Sequence, residues 1–252
     1  MWFDPNDNSR PVISPLEQIE LYFNKYGKFE LPTTAVLLYL RGIDYIMENY
    51  DVEIITEKFP RFLNSCPIYK IKHDNNLCIL DGGRGAPQAA DTVEILGALG
   101  VNNIVSVGLI GGYSEKIKAG DIIIPSLAYS EEGTSMHYYA DCTSFVPDVA
   151  LYNKARIAFE NAKSHPIVST DAVYRQTFNK ESIWRSKKAV GVDMETSAIF
   201  SVCKYLNIKA VSMLMVSDIH PINEYSENWN WKITNDIRKE FILNSINFAR
   251  SL

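Results

Sequence analysis

The feature that most constrains this chain is a series of short, almost wholly apolar runs, each ending in a turn and most followed by helical periodicity. Thr33 to Leu40 reads TTAVLLYL, Asn76 to Leu80 is apolar after its first residue, and Ile104 to Val107 and Ala210 to Val216 repeat the pattern. Runs of this length without polar alternation predict strands buried on both faces. Between them the spacing predicts helices: a short one over 16–25, then 43–49, a helix from Pro87 carried by Ala90, Val93, Leu96 and Leu99 and stopped near Gly100, then 149–162, 195–206 and the last ~20 residues. Val52 to Ile55 and Asp121 to Pro125 read as further short strands, and Val192 as the end of another. Buried strands alternating with helices predict an α/β fold in which a parallel or mixed sheet is covered on both faces. No repeat, low-complexity segment or composition break divides the 252 residues, so one domain over 1–252 is expected, with 1–15 as a loose arm.

In such a sheet, ligands bind outside the carboxyl ends of the strands. That rule selects three loops: Gly82 to Ala86, Gly108 to Gly112, and Ser217 to His220. A fourth place is Val192-Asp193-Met194-Glu195-Thr196-Ser197, where Asp193 is suited to cap the helix and Glu195 to sit at a strand-to-helix junction near the positive end of the helix. On spacing alone, a solvated Glu on a capped helix and a turn-forming Asp218 are the commoner explanations.

Composition removes several classes of function. The net charge of −5 supplies no field for nucleic acid or an anionic membrane, and no apolar run approaches 18 residues. Four scattered cysteines without CxxC spacing suggest reduced thiols in a cytoplasmic protein, not a disulfide framework or a zinc site. The polar start, MWFDPNDNSRP, does not read as a signal peptide.

Taken together, seven segments resemble the nucleoside phosphorylase superfamily, which includes purine nucleoside and uridine phosphorylases, AMP nucleosidase and methylthioadenosine nucleosidase. They are the glycine-rich turn ending in Pro87, Val107-Gly108…Gly111-Gly112, Gly120 to Pro125, Glu132-Gly133-Thr134-Ser135…His137-Tyr138, Ser169-Thr170-Asp171-Ala172…Tyr174-Arg175, Gly191 to Phe200, and Met213 to Asp218. The first 70 residues match poorly.

The resemblance implies a single-domain, three-layer α/β/α fold around a mixed, partly barrel-like sheet. It also implies cleavage of the N-glycosidic bond of a nucleoside. Glu195 would accept hydrogen bonds from the ribose hydroxyls, with Met194 packed on the sugar. Asp218, oriented by Ser217, would protonate the departing base, which requires a raised pKa or a proton shared with the base. Gly108, His137 and Val173 would border the substrate. His220 would assist Asp218, although a single loop His is more often simply solvated. Ser217-Asp218 resembles the purine-cleaving members; Thr177 and Asn179 stand where uridine phosphorylases read a pyrimidine with Gln and Arg.

The attacking half of the site departs from the family. Leu40-Arg41-Gly42-Ile43-Asp44 replaces a phosphate loop, Ser106 stands in place of an Arg, and Leu109 in place of a hydroxyl. Arg84 with Gly83, and Arg41, are the substitute anion ligands, with an ordinary surface Arg as the alternative for each. Arg175 is a candidate for a 5′-phosphate, since its segment also resembles AMP nucleosidase. Phosphorolysis with inorganic phosphate as co-substrate is the first expectation. Hydrolysis, and a non-catalytic nucleoside binder, are the alternatives. No metal or organic cofactor is implied, and a homo-oligomer, dimer or trimer of dimers, is expected by resemblance.

Overall fold

A computed structural model describes residues 9–225 and 229–252. In chain order the elements are α1 (Pro15–Tyr26), β1 (Thr34–Leu38), α2 (Ile43–Asn49), β2 (Val52–Thr56), β3 (Ile68–Ile71), β4 (Leu77–Asp81), α3 (Ala86–Ala98), β5 (Asn103–Gly112), β6 (Ile122–Ile123), β7 (Leu127–Glu131), β8 (Ser144–Phe145), α4 (Val149–Ala158), β9 (Pro166–Thr170), α5 (Phe178–Ser186), β10 (Gly191–Asp193), α6 (Thr196–Tyr205), β11 (Lys209–Ile219), β12 (Asn230–Trp231) and α7 (Asn235–Arg250).

The strands form one mixed sheet whose main path runs β2-β3-β4-β1-β5-β10-β9-β7-β8, with β11 on β5 and β6 and β12 on β11. The main path is open at its two ends, but β5, β11, β6, the Lys163 approach to β9, β9 and β10 pair in turn and return to β5, so the sheet is partly barrel-like, as expected, without being a closed barrel. Side chains along β1 alternate between two cores, as period-2 geometry requires. Ala35 and Leu37 join Ile19, Val93, Leu96, Ile199 and Phe200 from α1, α3 and α6. Val36 and Leu38 join Ile46, Leu151, Phe241, Ile242 and Ile246 from α2, α4 and α7. The sheet is thus covered on both faces, giving the three expected layers. Among the described residues no helix is long and apolar enough to cross a membrane.

Several expected boundaries move. Residues 1–8 of the expected arm lie outside the described residues, and Pro15 is already helical, behind a capping box of Ser14 and Glu17. The helix expected over 149–162 stops at Ala158, and the strand expected over 121–125 is only Ile122–Ile123. The glycines after Val107 do not end their strand: β5 runs through to Gly112, and β11 likewise runs through Ser217 and Asp218 to Ile219. The two long strands continue because they pair with each other, in parallel, along their whole length. One irregularity interrupts them: Val216 faces Ile110 and Asp218 faces Gly111, so Ser217 is an inserted bulge residue. A bulge re-aims the side chains beyond it.

The other edge of β5 is shared. Thr34 to Leu38 of β1 pair in parallel with Asn103 to Val107, and Gly191 and Val192 of β10 pair antiparallel with Gly112 and Gly111. Among the described residues, no strand is paired with Gly108 to Ile110 on that edge. The carboxyl ends of β1 and β10, running in opposite senses, therefore meet over this gap. The approach of β10 depends on Gly191, where a Cβ would lie 2.8 Å from the Gly111 carbonyl oxygen and from Ile110. Backbone cannot yield as a flexible side chain can, so Gly191→Ala is expected to cost about 1–3 kcal/mol by overpacking. A urea unfolding midpoint indistinguishable from the unaltered protein would refute that account.

Candidate functional site

Glu195 occupies the position between β10 and α6, with φ −133° and ψ −34°, and is half-buried. The free first turn of α6 is held instead by Asp193, whose Oδ2 accepts from the Thr196 N–H at 3.1 Å and from the Thr196 hydroxyl. Ser169 on β9 donates to the other oxygen of Asp193, and the Ser197 N–H donates to Ser169 Oγ at 2.9 Å. Asp193 thus takes the capping role, which leaves Glu195 to point elsewhere. Glu195 Oε1 accepts from the Gly85 N–H at 2.7 Å. Gly85 sits at φ +81°, a left-handed conformation that favours glycine. Burial pushes the Glu195 carboxyl above its ordinary range, and the Asp193 charge pushes the same way. A ligand donating hydroxyls to Glu195 would favour its ionised form.

Asp218 lies on the opposite edge of β5, facing Gly111. Ser217 donates to Asp218, at Oδ1. Trp229 donates its indole N–H to Oδ2, and His220 Nε2 lies 3.2 Å from the same oxygen. Burial raises the Asp218 carboxyl, but these donors outweigh it and hold Asp218 below its ordinary range. These contacts therefore give Asp218 a lowered pKa, opposite to the raised one expected of an acid. His220 is not a solvated loop residue. It is mostly buried, and its Nδ1 lies 2.6 Å from Oε1 of the buried Glu181. Burial lowers its pKa, yet hydrogen bonds to Asp218 and Glu181 prevail and push it up to about 9.

A cavity of about 740 Å³ opens beside this group, lined by Val173, Thr177, Asn179, Glu181, His220 and Trp229 among others. Thr177 also caps α5. Arg175, on the exposed 173–175 turn, does not line it. His137 is exposed on a different 3₁₀ turn and lines a separate cavity with Met136, Tyr138 and the face of α3. The structure therefore does not bring His137 and Val173 to one wall. Met194 is half-buried beside Glu195, and Gly108 packs against Tyr39 and Leu214.

The remaining candidates gather at the ends of β1 and β4. Arg41 and Arg84 line one cavity of about 560 Å³, together with Asp44, Asp81 and a third arginine, Arg61. Gly83 N–H and the Arg84 guanidinium both donate to Asp81 Oδ1, at 2.7 and 3.3 Å. Arg61 was invisible in the sequence. It is buried, and its guanidinium donates to the carbonyls of Asn64 and Asp81 and to Thr92, all neutral oxygens. A buried cation without a carboxylate among these partners favours an anion in the adjoining space. Tyr39 was also missed. Its buried hydroxyl has no hydrogen-bond partner among the described residues, and its ring lies against Gly82. Among the described residues, no three or more His, Cys, Asp or Glu side chains gather in a metal-binding group.

The profile of the phosphorylase superfamily matches residues 47–240. The chain belongs to this superfamily. As a superfamily member it shares 29% identity over 145 residues with a guanosine phosphorylase from Halorubrum lacusprofundi, covering 56% of this chain and 60% of that protein. A DeoD-type purine nucleoside phosphorylase from Clostridium beijerinckii is 30% identical over 132 residues, covering 50% and 55%. A mimivirus protein of uncharacterised function is 28% identical over 153 residues, covering 61% and 60%. The chain thus spans about 60% of the length of these curated relatives. The fold matches purine nucleoside phosphorylase from Toxoplasma gondii in complex with immucillin-H (TM-score 0.74, 18% identity, 88% of this chain and 91% of that one). It also matches AMP nucleosidase from Bacteroides thetaiotaomicron (TM-score 0.72, 20% identity, 93% and 96%).

The His220 contacts carry a stability consequence. A His whose pKa rises to about 9 on folding, from an ordinary ~6.5, contributes stability fully below pH ~6.5 and loses it as pH climbs through 9. The Tm advantage of the unaltered protein over His220→Gln is expected to shrink between pH 6.5 and 9.5. A Tm difference independent of pH would contradict the ion-pair assignment.

Proposed function

We propose that the protein cleaves the N-glycosidic bond of purine nucleosides by phosphorolysis, giving free base and (deoxy)ribose 1-phosphate. What supports this reading is that Glu195 and Asp218 lie at the two edges of β5 near its carboxyl end, and that an arginine-lined cavity lies at the ends of β1 and β4, the strands beside it. Glu195 and Arg84 are linked through a single turn: Gly85 N–H holds the carboxylate while the neighbouring guanidinium borders the cavity. In this reading the sugar hydroxyls rest on Glu195, with Met194 beside the sugar. The base lies toward Asp218, bordered by Gly108 and Val173. Phosphate sits by Arg41, Arg61 and Arg84.

The chemistry needs all three groups. As the C1′–N9 bond lengthens, the sugar gains oxocarbenium character, and an ionised Glu195 stabilises it. The electron pair stays with the base, and a proton delivered at N7 through Asp218 makes the base a better leaving group. A phosphate oxygen then bonds to C1′. The relatives named guanosine and purine nucleoside phosphorylases support the purine assignment. A second reading, hydrolysis, rests on Asp44 and Asp81, two carboxylates on the same cavity that suit activation of water.

Base release from inosine, guanosine, adenosine and AMP, measured with and without phosphate, separates the two. Phosphate-dependent release is expected; release unchanged by phosphate removal would refute phosphorolysis. Asp218→Asn is expected to lower kcat for purine nucleosides by ~10²–10⁴-fold with the fold intact by circular dichroism, and near-normal turnover would remove Asp218 from the mechanism. Loss of a charge-assisted contact is worth ~1.5–3 kcal/mol, so Arg84→Ala is expected to raise the KM for phosphate by roughly 10–100-fold. An unchanged phosphate KM would place the anion elsewhere.

A further inference from the structure

We infer that His220, held by Glu181, stores the proton that Asp218 passes to the leaving base. This rests on the glycosidic-cleavage reading above and names the proton source that reading lacks. His220 is a positioning residue in this scheme, since it acts through Asp218.

The geometry is a line of three side chains. Glu181 Oε1 lies 2.6 Å from His220 Nδ1, and His220 Nε2 lies 3.2 Å from Asp218 Oδ2. All three are mostly buried, and Glu181 and His220 line the cavity assigned to the base. Glu181 comes from α5 and Asp218 from β11, so two elements distant in sequence converge on one imidazole. Among the described residues, the other charged and titratable groups around it are few. Arg185 lies 3.7 Å from Glu181 Oε2 and donates to the Tyr113 carbonyl at 3.2 Å. The Tyr113 ring centroid is 6.4 Å from that of His220, and burial keeps its phenol neutral. Glu224 lines the same cavity. Two carboxylates in direct contact, against one guanidinium farther off, favour the imidazolium.

An ionised Asp218 has no proton to give, and its three donors keep it ionised at neutral pH. One of those donors must yield. The Trp229 indole N–H occupies Oδ2, so a base taking a proton from Oδ2 displaces it. Losing that donor raises the proton affinity of the carboxylate, and the proton on His220 Nε2 moves to Oδ2. The C1′–N9 bond breaks, its electron pair stays on the base, and N7 takes the proton from Oδ2. His220 is left neutral with Nδ1–H still donated to Glu181. Nε2 regains a proton from water entering the cavity before the next turnover.

The test is the pH dependence of kcat/KM for the full chain, with guanosine and with N7-methylguanosine. The base of N7-methylguanosine departs without protonation at N7, so it reports everything except proton delivery. For guanosine, activity of the unaltered protein is expected to persist to about pH 8 and fall as His220 deprotonates near 9. His220→Gln is expected to lose ~10²-fold at pH 7.5, with the alkaline limb moved down by two or more pH units toward the carboxylate range. The N7-methylguanosine to guanosine rate ratio then rises at least tenfold. Glu181→Gln is expected to move the same limb down part-way. An unshifted limb in His220→Gln, or equal losses on both substrates, would overturn the proton-store role. No cleavage of either substrate by the unaltered protein would instead overturn the glycosidic-cleavage reading itself.

Discussion

The shared edge of β5 is the constraint on which the site depends. One edge of this strand carries β11 along its length; the other carries β1 for its first half and β10 at its end. Because β1 and β10 run in opposite senses, their carboxyl ends converge over Gly108 to Ile110. The turn after β4 lies beside β1, so Gly85 reaches Glu195 from there. Asp218 approaches from the far edge, at a bulge that places it against Gly111. The positions of Glu195, Asp218 and the arginine cavity are therefore three consequences of one pattern of strand pairing.

The pattern is expensive in electrostatic terms. Glu195 and Asp193, two residues apart, are both held in surroundings that disfavour their charge. Asp193 offsets this with hydrogen bonds from Ser169 and Thr196, which also fix the start of α6. Among the described residues, Glu195 has no side-chain donor of this kind: backbone N–H groups, Gly85 first among them, lower its pKa against burial. Asp218 is over-supplied with donors instead. The two carboxylates are thus shifted in opposite senses, Glu195 upward and Asp218 downward.

Much of this was legible in the sequence. The apolar runs located β1, β4, β5 and β11, and α2 fell on the expected residues 43–49. Asp193 suited its cap by type and position, while Glu195, Ser217 and Asp218 stood out only through the flanking motifs that resemble the superfamily. The strand ends were misjudged at Gly108 and Ser217, because glycines and polar residues signal turns unless long-range pairing overrides them. β3, β7 and β9 escaped notice as short segments among polar residues. Arg61 and Tyr39 carry no local signature; only the convergence of distant loops buries them. His220 did carry one: it stands two residues after Asp218, and on extended backbone that spacing shares a face. Its partner Glu181, 39 residues away, is what the sequence could not disclose.

The central claim is that sugar, base and anion occupy three adjoining places around Gly108 to Ile110. A crystal structure with phosphate and a purine C-nucleoside, whose carbon–carbon glycosidic bond cannot break, tests it most directly. The account predicts sugar hydroxyls on Glu195, a base nitrogen in place of the Trp229 indole at Asp218, and phosphate among Arg41, Arg61 and Arg84. A nucleoside seated in the cavity beside His137, with Trp229 still on Asp218, would contradict it.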